Sequence, residues 1–145
     1  LLILDSPPNH EGVEGGLQKL VAASDFILVP TRPTNDDAQS AIPLMKFIRR
    51  NNKEAAFVLN AVKPRVNLKK VKDKLDAAGP ICPIEIGDRI DYPNAADDGL
   101  GIIEAKTRSP EGADEVRGVW GFVKRRIWTQ AGDGAQPRME AAHGA

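Results

Sequence analysis

Short apolar runs alternate along this chain with segments in which apolar residues return every three or four positions. The runs are LLIL at 1–4, DFILVP at 25–30, AAFVLNAV at 55–62 and ICPIEI at 81–86. Runs of this length with little polar alternation suit strands buried on both faces of a sheet. Between them, Val13, Leu17, Leu20 and Val21 fall on one helical stripe, Ala38, Ala41, Ile42, Met45 and Ile48 on a second, and Leu68, Val71, Leu75 and Ala78 on a third. Strands alternating with helical stripes predict an α/β protein, with a mostly parallel sheet and helices on both of its faces.

The ends of these elements are less sharply marked. The second helix is expected to begin near Asp36, with Asn35 or Asp36 as its cap, and Pro43 should kink it or delay its start. Gly79 and Pro80 should end the third. The stretch GDRIDYPNAADDGLGIIEAKTRSPEG is expected to hold a short helix and a short return to the sheet, and its length suggests function. Val116, Val119, Trp120, Val123 and Ile127 then line a last amphipathic helix. Small and polar residues without period follow from Thr129, so residues 1–128 are expected to form the domain and 129–145 a disordered tail.

Composition narrows the function classes. Twenty basic and twenty acidic residues cancel, so attraction to nucleic acid or anionic lipid has to come from a local patch. The single cysteine, Cys82, has no partner for an internal disulfide, and its apolar setting reads as a small buried hydrophobe. With only two histidines, His10 and His143, no zinc-type cluster exists, and a reducing cytoplasm fits best. The tail AGDGAQPRMEAAHGA carries no bulky apolar stripe, which disfavours a membrane role.

Ligands of open parallel sheets bind beyond the carboxyl ends of the strands, which gives Asp5, at the end of LLILD, a chemical position. A carboxylate there can hold a magnesium-bound water or orient an attacking one; equally, it can cap the turn that the two prolines fix.

LLILDSPP, AASDFILVPTRPT, FVLNAV and IEIGDRIDYPNAADDGLGIIEAK, in that order and followed by an amphipathic helix, resemble the C-terminal two-thirds of the ParA/MinD family of deviant Walker ATPases. The resemblance covers residue 1 to about residue 128, is nearest to partition ATPases of the ParA branch, and implies a partial P-loop NTPase fold of the SIMIBI type. It implies that Asp5 assists catalysis and holds Mg²⁺ through water, with Ser6, Pro7 and Pro8 in the second switch. Asn60 matches an adenine-contacting position, and an amide both donates and accepts toward a base edge; a turn cap is the other reading. Ile86, Gly87 and Asp88 match the backbone laid against the purine. Arg89, Lys106 and Arg108 fall close to positions that bind DNA nonspecifically, contacts for which positive charge suffices; each also reads as a solvated surface charge. The cluster KKVKDK at 69–74 reads as a solvated helix face.

One element of the family is missing: no G-x-x-x-x-G-K-[ST] pattern, ordinary or deviant, occurs in the 145 residues. Together with the start in mid-strand, this reads as a fragment without its front, and the chain alone is expected not to hydrolyse ATP. The resemblance implies an intact protein that binds MgATP, forms a homodimer, coats nonspecific DNA in the nucleoid, and releases it when a ParB-like partner stimulates hydrolysis. Two rivals stand beside this expectation. One is a non-catalytic adaptor or localisation module; the other is an ATPase positioning a secretion, conjugation or cellulose-synthesis apparatus.

Overall fold

The computed structural model describes residues 1–6, 14–105 and 110–132. Its elements in chain order are α1 (Glu14–Ala23), β1 (Ile27–Thr31), α2 (Asn35–Arg50), β2 (Ala55–Leu59), α3 (Lys69–Asp76), α4 (Asp91–Asp97) and α5 (Glu111–Gly132). β1 and β2 pair in parallel, Ile27 facing Ala55 and Thr31 facing Leu59, with α2 as the crossover.

Alternation along β2 divides the core in two. Ala55, Phe57 and Leu59 turn to one side with Val29, where Val21 of α1, Ala38, Met45 and Ile48 of α2 and Leu75 of α3 cover them. Ala56 and Val58 turn to the other and meet Cys82 with Phe122 and Val123 of α5. All five β2 residues are buried, which is why the run carries no polar alternation. The α/β class and the helices on both faces are as the hydrophobic pattern requires.

Local chemistry sets the α2 boundary one residue ahead of the expected caps. Thr34, extended at φ −104°, is the N-cap; its Oγ1 accepts the Asp37 N–H at 3.1 Å and donates to Asp37 Oδ2 at 2.6 Å. Asp36 and Asp37 face the positive helix end, and Arg49 and Arg50 the negative one. Pro43 neither ends the helix nor delays it, since the element runs through that position. Pro43 and Gln39, whose carbonyl loses its helical donor there, are both solvent-exposed, so water can take that bond.

The fourth expected strand is reduced to two isolated bridges, Phe57 with Ile81 and Val62 with Gly87. Cys82 N–H donates to Phe57 O (2.7 Å) and Ile86 N–H to Leu59 O (2.8 Å), so the two steps from Phe57 to Leu59 are matched by four on the neighbouring segment. Pro83, which has no N–H to give, lies in that bulge and breaks the ladder.

Three other expectations need correction. Residues 1–4 form no strand and are exposed, Leu1 at 81% and Leu4 at 49%. A strand is held by its neighbours, and no backbone hydrogen bond joins this run to the other described residues. At the other end, α5 continues through Gly132 instead of stopping near Trp128. The long irregular stretch supplies α4 but, among the described residues, no further strand. Val13 and residues 133–145 lie outside the described residues.

Candidate functional site

β1 is an edge strand among the described residues, and its polar pattern follows. Ile27 N–H donates to Glu54 O (3.0 Å) and Thr31 O accepts from Asn60 N–H (2.9 Å), so odd positions of β1 address β2. By alternation the backbone groups of Leu28 and Pro30 face away from it. Pro30, with no N–H, therefore removes no bond from the β1–β2 ladder.

Beside that edge is a cavity of about 640 Å³. Aliphatic residues of α1, β1 and α2 contribute to its wall, as do Leu1 to Leu4 and the whole α5 stripe, Val116, Val119, Trp120, Val123 and Ile127. Its polar wall residues include Ser6 and Asn60, and Ile86 joins them. Three positions singled out from sequence thus line one cavity, which runs along β1 and the residues before it, from Ser24 to Pro30. Asp5 is exposed and is not part of the wall, although Ser6 beside it is.

Asn60 does one job visibly. Its Oδ1 accepts the Ala61 N–H at 2.9 Å, steadying a residue held at φ +53°, in the left-handed region that a Cβ disfavours. Its Nδ2 makes no hydrogen bond to the described residues, so the amide retains donors.

Residues 86–88 are tied down through their nitrogens. Ile86 N–H donates to Leu59 O (2.8 Å), Gly87 N–H to Glu115 Oε2 (3.0 Å) and Asp88 N–H to Val62 O (2.9 Å). Ile86 O accepts from Val62 N–H (2.9 Å). The carbonyls of Gly87 and Asp88 accept from none of the described residues and are open acceptors.

Arg89 is engaged within the fold. Its Nε and Nη2 both donate to Glu115 Oε1, at 3.0 and 2.6 Å, and the Tyr92 hydroxyl shares its proton between Glu115 Oε2 (3.0 Å) and Gly112 O (3.1 Å). Burial alone would raise the Glu115 carboxyl, but the donors from Arg89, Gly87 and Tyr92 together hold it below the usual carboxylate range. The hydrogen bond to Glu115 raises Arg89 further, and burial followed by Glu115 pushes Tyr92 up to about 12. Glu115 was not marked by the sequence: it lies 26 residues from Arg89 and beside the apolar stripe of α5, where an acid reads as solvated surface. The only local hint is Arg89 and Tyr92, spaced by three and followed by a distant acid.

The charge readings divide. Lys106 and Arg108 lie outside the described residues. In KKVKDK, Lys72 pairs with Glu85 (2.5 Å) at half-buried positions, and Lys74 donates to Asn35 at exposed ones. Cys82 is buried, and burial pushes its thiol up, which suits a packing role.

Asn60 and the 87–88 carbonyls can meet a base, and Asp5 is a single exposed carboxylate of the kind Mg²⁺ uses while keeping its waters. Among the described residues no group of three or more His, Cys, Asp or Glu could form a metal cage. No phosphate-cradling loop is present in the sequence.

Comparison with solved structures places the architecture. The chain shares the fold of the cell division ATPase MinD of Pyrococcus furiosus. The two match with a TM-score of 0.58 at 15% identity, over 70% of this chain and 44% of that one. This chain thus matches less than half of MinD's length. No protein-family model matches it. No curated protein matches it either. Among the described residues no helix is long and apolar enough to cross a membrane.

Proposed function

We propose that this chain is the base-binding part of a ParA/MinD-type ATPase that in its intact form binds and hydrolyses MgATP. The observation that carries this reading is that Ser6, Asn60 and Ile86 line one cavity, with Asn60 just past the carboxyl end of β2, the end at which open α/β sheets bind ligands. The MinD-like fold supports it.

In this reading Asn60 and the carbonyls of Gly87 and Asp88 hold the base. Asp5 would hold Mg²⁺ through a bound water and would orient the attacking water. Bound Mg²⁺ would neutralise charge developing on the phosphates, chemistry that depends on positioning far more than on covalent steps. The phosphate-cradling lysines come from polypeptide outside this sequence. The intact protein forms a nucleotide-dependent homodimer and binds DNA nonspecifically to segregate plasmid or chromosomal DNA. A ParB-like partner stimulates its hydrolysis. Lys106 and Arg108 carry the DNA contacts, and Arg89 joins them only in so far as Glu115 releases it.

The test is Asp5→Ala in the full-length protein that carries this chain. ATP binding should persist while partner-stimulated hydrolysis falls by at least about a hundredfold. Hydrolysis at the wild-type rate would overturn the role of Asp5, and wild-type protein that fails to bind ATP would overturn the reading itself.

A further inference from the structure

Gly87 is bridged to Val62 through its neighbours: Val62 N–H reaches Ile86 O and Asp88 N–H reaches Val62 O. In such a parallel bridge the N–H and C=O of the central residue both point away from the partner strand. One of these, the Gly87 N–H, ends on Glu115 Oε2. The Gly87 carbonyl leaves on the same side and is an acceptor with no partner among the described residues. Glu115 therefore fixes the Ile86–Gly87 peptide, the unit next to the one whose carbonyl is unpartnered, and so restrains Gly87 between them. The fit is close: a Cβ on Gly87 would lie 3.1 Å from Arg89 Nε and 3.3 Å from Glu115 Oε1. The same carboxylate gathers Arg89 and Tyr92, and Tyr92 reaches back to Gly112 O in α5. One acid thus ties the segment after Ile86 and the first turn of α4 to α5, at a side-chain exposure of 16%.

We propose that Glu115 is a positioning residue for base recognition: it holds the Gly87 amide so that the adjacent carbonyl faces the exocyclic amino group of a purine. This rests on the nucleotide-binding reading above. Glu115 touches no nucleotide, and its effect reaches the base only through Gly87. Its loss should consequently weaken ligands that have a base and spare one that has none.

The experiment compares ATP with ribose 5′-triphosphate, which lacks the base, on the full-length protein by calorimetric titration. Glu115→Ala should lower ATP affinity about tenfold and leave ribose triphosphate within about twofold. Glu115→Gln keeps an oxygen for the Gly87 N–H but loses the ion pair with Arg89, and should lower ATP affinity only about threefold. If the alanine variant does not fold, as judged by its near-UV circular dichroism, the glutamine variant decides. Equal losses on both ligands, or no loss on ATP, would overturn the proposal while leaving the nucleotide-binding reading intact. Wild-type protein that binds ribose triphosphate as well as ATP, or neither ligand, would overturn both.

Discussion

Arg89 and Glu115 meet through two hydrogen bonds to one carboxylate oxygen, at 3.0 and 2.6 Å, across 26 residues of chain. The pair joins α5 to the segment that follows Ile86, and neither side chain is more than a third exposed. Removing Glu115 would strand a partly buried guanidinium together with the Gly87 N–H. We expect Glu115→Ala to cost about 2 kcal/mol in urea unfolding, and a double-mutant cycle with Arg89→Ala to give a coupling of at least about 1 kcal/mol. Additive single losses would show that the contact carries no energy of its own.

Tyr92 gives an alkaline signature. Its folded-state pKa is raised from 10.0 to about 12, so between these values the unfolded chain has lost a proton that the native state keeps. Stability therefore declines as pH climbs from 10 toward about 12. Tyr92→Phe should flatten that part of the curve relative to wild type; parallel curves for the two proteins would contradict it. Glu115 acts at the other end. Its depressed folded pKa contributes stability that is present above the unfolded value and lost as pH falls through the folded one.

Gly79 sits against the most enclosed part of the core. A Cβ there would lie 2.8 Å from both Cγ and Sδ of Met45, a residue with no exposed surface. Gly79→Ala should destabilise by about 1–3 kcal/mol through overpacking. Combining it with Met45→Ala should recover part of that cost, and thermal melts of the two variants would show whether it does.

Cys82, at 2% exposure, packs with Ala56, Val58 and Phe122 behind β2. A thiol reagent should label it at the rate at which the domain opens, so labelling accelerates steeply with urea. Rapid labelling in buffer would place the sulfur at the surface.

The helices were the most legible parts of the sequence because each stripe is local. Ala38, Met45 and Ile48 are buried where the period of α2 puts them, and the apolar stripe of α5 lines the cavity as a set. Strands are harder to read, since the same apolar run needs neighbours to become one. ICPIEI is interrupted by Pro83, and LLIL has nothing paired to it among the described residues. The α2 cap was misplaced by a residue because Thr34, Asn35 and Asp36 are all capable of the task, and only the extended backbone at Thr34 selects it. For the site, Asn60 and Ile86 come from the family resemblance, and both line the cavity. Glu115 could not be picked from the sequence, since its four hydrogen bonds exist only after α5 has packed against the 87–92 segment.

The side of β1 left without a partner among the described residues has a consequence for association in solution. Along that rim Leu28 offers both an amide and a carbonyl, while Pro30 offers a carbonyl alone, so an incoming extended segment finds an interrupted template. Concentrated solutions should form small, salt-insensitive assemblies through the aliphatic trough beside β1, and Pro30→Val should turn these into longer, thioflavin-positive fibres.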